Sequence, residues 1–183
     1  RLAEEKQQKK AKRMDEDELS ETIDARLRKA EQLAEEERYE DAEAAFIDVI
    51  RMENKHAGAY RGLGKTYLKN GQHEEAEATF NFLLKLTPDD DTVYVKLAQN
   101  ASAAGDRLKA IDYYEKGLKM NPGMPRRFFE VADLYQEEGE EDKAREAYER
   151  AVELEPGNPR YIDGLLDMLI MMGKVKEAKE NLR

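Results

Sequence analysis

The sequence predicts an all-α fold of stacked helix pairs, and three periodic columns carry that prediction. Five alanines, Ala42, Ala76, Ala110, Ala144 and Ala178, follow one another at intervals of 34 residues. Gly71, Gly105, Gly139 and Gly173 keep the same interval, as do Pro88, Pro122 and Pro156. A fixed period of this length, with no insertion or deletion, marks a repeat architecture in which each unit is covered by the next. Function in such an array belongs to an extended surface rather than to one enclosed pocket.

The elements follow from the spacing of apolar residues around those columns. Tyr60, Leu63, Gly64 and Tyr67 precede Gly71, and Tyr94, Leu97, Ala98 and Ala101 precede Gly105. Phe128, Val131, Ala132 and Tyr135 precede Gly139, and Ile162, Leu165, Leu166 and Leu169 precede Gly173. Offsets of three and four place each set on one face of a helix. After each glycine comes the alanine and, four residues later, Phe80, Tyr114, Tyr148 or Leu182, which defines a second amphipathic helix. Glycine lies where the chain must reverse, and proline lies where the second helix must stop.

This pattern resembles the tetratricopeptide repeat, a helix-turn-helix unit of the same length, over residues 23–183. Residues 57–90, 91–124 and 125–158 are full copies. Residues 23–56 are a degenerate first copy with Ala30, Leu33, Tyr39, Ala42 and Phe46 in register, and 159–183 are a fifth copy cut short in its second helix. The resemblance implies a right-handed superhelical solenoid. Three departures stand out. Ala101 replaces the tyrosine of its column, Leu166 replaces a small residue, and Gly117 sits inside a second helix at a cost of about 1 kcal/mol relative to alanine.

Composition narrows the function further. Charged residues make up 39% of the chain and its net charge is −10, which opposes nonspecific attachment to nucleic acid or anionic lipid. The longest apolar run, Met168 to Met172, is far short of the ~20 residues a membrane span requires. The absence of cysteine removes disulfides, thiolate metal sites and a cysteine nucleophile, and agrees with a reducing, cytoplasmic compartment. Residues 1–22 read as a charged extension or linker, basic through Arg13 and acidic from Asp15 to Glu18. A sharper reading makes them the cytosolic foot of a membrane helix upstream. The first residue, Arg1, and the mid-helix end at Arg183 read as a segment of a longer chain. On that reading the apolar residues of the fifth copy want cover, and self-association through the C-terminal repeat is one way to supply it.

Segments that imitate catalytic motifs fail on spacing. Gly62-Leu63-Gly64-Lys65-Thr66 resembles the end of a phosphate loop, but the first glycine of that motif falls on Ala59 and the segment is helical in pattern. His56 and His73 lack a partner histidine and read as surface residues. Asp89-Asp90-Asp91-Thr92 lacks the glycine and glutamate of a calcium loop and reads as a helix cap. We expect no enzyme activity, no metal and no cofactor.

The resemblance implies that the first helix of each repeat lines a concave groove that takes a partner peptide or helix. By position, that groove contains Arg61, Lys65 and Lys69 in the second repeat and Val95 and Gln99 in the third. Phe129 and Asp133 follow in the fourth, and Asp163 and Asp167 in the fifth. It would run from basic, through an apolar stretch, to acidic, with Phe129 as an exposed aromatic anchor. The carboxylate clamp of chaperone-binding members is incomplete, because Phe129 and Asp133 stand where its last two cations belong. The expected function is a noncatalytic scaffold or adaptor for a protein or peptide. The alternatives are a structural spacer or self-assembly element of a larger chain, and an accessory region of an enzyme whose catalytic domain lies elsewhere.

Overall fold

The computed structural model describes residues 2–174 together with Lys176 and Ala178, with side chains from Asp15 onward. Among the described residues the chain forms nine helices and no strand. They are α1 (Leu2–Glu35), α2 (Tyr39–Met52), α3 (Ala57–Lys69), α4 (His73–Leu86), α5 (Thr92–Ala103), α6 (Arg107–Met120), α7 (Pro125–Glu137), α8 (Glu141–Leu154) and α9 (Pro159–Met171). They divide between two compact units, Arg1–Thr87 and Pro88–Arg183. None of these helices is both long and apolar enough to cross a membrane.

Each helix pair closes through one backbone device. Gly71, Gly105, Gly139 and Gly173 hold φ at 75°, 83°, 76° and 73°, the left-handed region that side chains resist. The following N–H reaches back to the carbonyl five residues earlier, as in Gln72 to Tyr67 (2.9 Å) and Glu140 to Tyr135 (2.9 Å). This is the Schellman closure, which satisfies carbonyls left over at a helix end. In the first repeat the same role falls to Glu37, at φ 59°, with Arg38 N–H bonded to the Leu33 carbonyl at 3.0 Å. Glu37 lies 34 residues before Gly71, so the glycine column has a fifth, non-glycine member.

In the first unit, α1 runs unbroken through the charged segment into the first repeat. Side chains from Asp15 to Thr22 are exposed, and burial starts at Ile23. Ile23, Ala30 and Leu33 of α1 join Ala42, Phe46 and Val49 of α2 and Ala59 and Leu63 of α3 in one core. Two glycines of α3 let aromatic rings lie against its backbone. A Cβ on Gly62 would sit 2.2 Å from Phe46 Cε1, and one on Gly64 would sit 2.6 Å from Phe80 Cε1. His56 is a cap rather than a plain surface residue: its Nδ1 accepts the Ala59 N–H at 3.0 Å and closes the start of α3.

In the second unit, Val93, Leu97, Ala98 and Ala101 of α5 pack with Ala110, Tyr114 and Leu118 of α6, all buried. Gly117 has a local reason. A Cβ there would lie 3.2 Å from Tyr94 Cβ and 3.6 Å from the Asp91 carbonyl, so α6 approaches α5 through a bare position. Beside it, the buried Arg127 of α7 forms an ion pair with Asp91 at the start of α5. Arg127 shares a column with Ala59 and Val93, both fully buried, so one charge stands where the period otherwise places apolar groups.

In the fifth repeat Leu165 and Leu169 are buried, whereas Ile162 and Leu166 are only half-buried and Met168 is fully enclosed. Leu166 removes the small residue of its column, and Gly164 supplies one instead: its Cβ would meet Phe129 and Tyr148, each at 2.9 Å. Gly164 lies three periods after Gly62, and each faces the aromatic of the preceding second helix. The expectations for Leu182 and for the completeness of the last second helix fall outside the described residues.

The left-handed Glu37 generates a stability prediction. Holding a non-glycine residue in that region costs about 1–2 kcal/mol. Glu37→Gly should therefore raise unfolding stability by about 1 kcal/mol, the remainder being offset by glycine's greater freedom in the unfolded chain. Urea titration of both proteins checks this, and an unchanged or lower midpoint would contradict it.

Candidate functional site

The first-helix face of the first unit is built from α1 and α3. Arg61, Lys65 and Lys69 lie at four-residue spacing and so form one stripe along α3. Arg61 is half-buried, while Lys65 and Lys69 are exposed. Across from them stand Glu31 and Glu35 of α1, and the two helices bound a groove of ≈ 410 Å³. Gly58 and Gly62 also line it, and the Phe46 ring lies against the bare Gly62 at the floor. Thr66, buried in the same wall, donates its hydroxyl to the Gly62 carbonyl at 2.9 Å and leaves no polar debt there.

In the second unit the sequence-predicted residues separate into two kinds. Val95 and Gln99 of α5 are half-buried, and Gln99 accepts the Lys96 ammonium at 2.9 Å. Asp163 and Asp167 of α9 are exposed. Phe129 corrects the sequence reading. It is only 7% exposed, with its ring 5.5 Å from Tyr148 and 5.3 Å from Tyr161, and the Arg160 guanidinium lies 4.5 Å above its face. The bare Gly164 admits the ring between α7, α8 and α9, so Phe129 is a packing residue rather than an uncovered anchor.

Asp133 is tied into the same cluster. The Tyr148 hydroxyl lies 2.6 Å from Asp133 Oδ1 and 2.9 Å from Gln136 Oε1. Burial pushes the Asp133 carboxyl up from its ordinary value, while the Tyr148 hydrogen bond and Arg160 pull it down. Burial likewise raises Tyr148, and Asp133 raises it further by accepting a hydrogen bond from the neutral phenol and repelling a phenolate. Sequence reasoning missed this tyrosine-centred contact and the Gly62/Gly164 column. The available signal was a glycine recurring three periods apart opposite Phe46 and Tyr148.

Among the described residues no group of histidines and carboxylates is arranged to hold a metal ion. The arrangement offers charged stripes and half-buried apolar positions on helix faces, which suits noncovalent recognition of an extended surface.

Two predictions follow from this packing. Phe129→Ala should destabilise the second unit by about 3–5 kcal/mol, the usual cost of deleting an enclosed phenylalanine. Denaturation of the variant checks it, and a loss below about 1 kcal/mol would return Phe129 to the exposed class. The second concerns alkaline pH. The Tyr67 hydroxyl donates to Glu43 at 3.0 Å, and burial together with that carboxylate pushes it from 10.0 up to about 12. The neutral phenol is therefore favoured in the folded state. Its contribution is complete below about pH 10 and is lost as pH rises through about 12. Tyr67→Phe should flatten the fall in stability over that window, measured as denaturant midpoints of both proteins across it.

The tetratricopeptide repeat family profile matches residues 33–100 and 101–169. No curated protein sequence matches the chain. Among solved structures, a crystal structure of MamA aligns at 21% identity over 89% of each chain, with a TM-score of 0.75. MamA from Desulfovibrio magneticus RS-1 aligns at 19% identity over 87% of this chain and 90% of its own, with a TM-score of 0.74. YrrB, described as a TPR protein with an unusual peptide-binding site, aligns at 18% identity over 90% and 88%, with a TM-score of 0.68. At these identities the structural likenesses establish the fold, and the family match spans well over half of the sequence. With its paired helices, left-handed closures and matching profile, the chain belongs to the tetratricopeptide repeat family.

Proposed function

We propose that this protein is a noncatalytic adaptor that holds a peptide or helix of a partner protein on its first-helix faces. Members of the family generally mediate protein–protein interactions, and YrrB, with the same fold, is described as having a peptide-binding site. The observation that carries the reading is the α1–α3 groove. Arg61, Lys65 and Lys69 form its one wall, and the Phe46 ring, packed against the bare Gly62, lies at its floor. A partner segment with carboxylates at helical or extended spacing matches this stripe, and Glu31 and Glu35 on the facing wall set its register by repelling a purely acidic ligand on that side.

In the second unit, Asp163 and Asp167 offer carboxylates for basic groups of a ligand, and Val95 and Gln99 offer an aliphatic and an amide contact. Asp133 is a weaker contributor, since Tyr148 already engages it. Phe129 enters the reading only as support beneath the face.

The test is charge reversal on the first unit. Arg61→Glu with Lys65→Glu should weaken a verified partner peptide by about tenfold or more at low salt, with the difference shrinking as salt is added. Chemical-shift mapping with the same peptide should move the amides of α3. Unmoved α3 amides, or equal binding by the double variant, would defeat the first-helix reading.

A further inference from the structure

A second cleft lies within the second unit, bounded by α6, α7 and α8. Its volume is ≈ 510 Å³. The floor is apolar, made by Phe128, Val131 and Tyr135 of α7 with Leu118 and Ala147 on the walls. All are buried except Phe128, which is half-buried. The rim carries Lys119 from one wall and Lys143 and Arg150 from the other, all exposed.

The same place in the first unit is filled differently. Tyr60 occupies the Phe128 column, and Phe82, two periods before Arg150, lays its ring on Tyr60 at 4.6 Å. In the second unit the aromatic roof is replaced by the Arg150 guanidinium, 5.8 Å above Phe128. Glu75 of the first unit becomes Lys143, and Thr79 becomes Ala147. These changes open the apolar floor or make the rim more positive, while Glu115 and Glu146, in place of Ile47 and Ala78, add negative charge. This happens in a chain of net charge −10, so the rim runs against the overall field.

We infer that this cleft docks a partner segment in which an aliphatic or aromatic side chain is flanked on both sides by carboxylates. The volume accepts one or two large side chains. Cations on both walls match acidic groups on either side of such an anchor. Two carboxylates also line the cleft: Glu115, which accepts the Tyr135 hydroxyl and keeps its charge, and Glu146, so the three cations outnumber the anions by one. The cations' present partners are easily exchanged. Lys143 pairs with Glu140 at 3.3 Å and Arg150 with Glu153, and in each pair both side chains are about half-exposed or more. Exposed pairs of this kind contribute little, so a ligand carboxylate can take their place. This site is independent of the α1–α3 groove and shares no residue with it.

The probe is a fluorescein-labelled peptide with a central Leu-Phe pair flanked by glutamates, titrated against the whole protein by anisotropy. Saturable binding is expected, weakening as salt rises. Lys119→Glu combined with Arg150→Glu, both surface changes, should weaken it by about tenfold or more. Ala147→Tyr, which restores the tyrosine found one period earlier at Tyr113, should fill the cleft and weaken binding to a similar extent. Arg61→Glu with Lys65→Glu should leave it unchanged, which separates this cleft from the first-helix groove. The inference is overturned by absence of binding, by equal binding of a peptide with lysines in place of the glutamates, or by a rim double variant that binds as the parent does.

Discussion

Every described reversal from a first helix to its second depends on a single residue held at positive φ. At Glu37, Gly71, Gly105, Gly139 and Gly173 the backbone turns left-handed, and the next N–H caps a carbonyl of the helix just ended. That geometry fixes the angle at which the second helix leaves. The leaving angle in turn decides which side of it meets the first, and Ala42, Ala76, Ala110 and Ala144 are fully buried because of it. The aromatic one turn further on, Phe46, Phe80, Tyr114 or Tyr148, is then aimed at the neighbouring first helix. Where that helix carries Gly62, Gly64 or Gly164 the ring lies against backbone. The period seen in the sequence is the record of this one closure repeated.

Close approach also explains where polarity enters the interior. Tyrosines in the packing columns bring hydroxyls that need acceptors, and carboxylates supply them: Glu43 for Tyr67, Glu115 for Tyr135 and Asp133 for Tyr148. Burying those groups favours the neutral phenols and raises their titration, as linkage requires. Part of the acidic excess of the chain is thus structural. Cations stand on the faces, among them those along α3 and those around the rim of the α6–α8 cleft.

The sequence made much of this legible, and its failures have one cause. Position in the period predicted the helix pairs, their glycine turns and the close-packed alanines, because those depend on local backbone conformation and on helical spacing. It placed Arg61, Lys65, Lys69, Asp163 and Asp167 on one side of their helices for the same reason. It mistook Phe129 for an exposed anchor, because burial of that position depends on Gly164, two helices further along the chain. Glu37 escaped notice as a turn residue because nothing in its chemistry favours positive φ; the register forces it there.

By itself, then, the sequence determined that this protein is an all-α tetratricopeptide array and where its helix pairs turn. Those properties follow from intervals of three, four and 34 residues, which are fixed along the chain. Tertiary structure alone decided which side chains face solvent where helices from different repeats meet. It enclosed Phe129 beneath Arg160, paired Arg127 with Asp91, and left Phe128 half-covered at the base of a cationic cleft. The reason is physical: burial is set by the volumes of neighbours on other helices, and a period records a residue's own place without recording what its neighbours have left open.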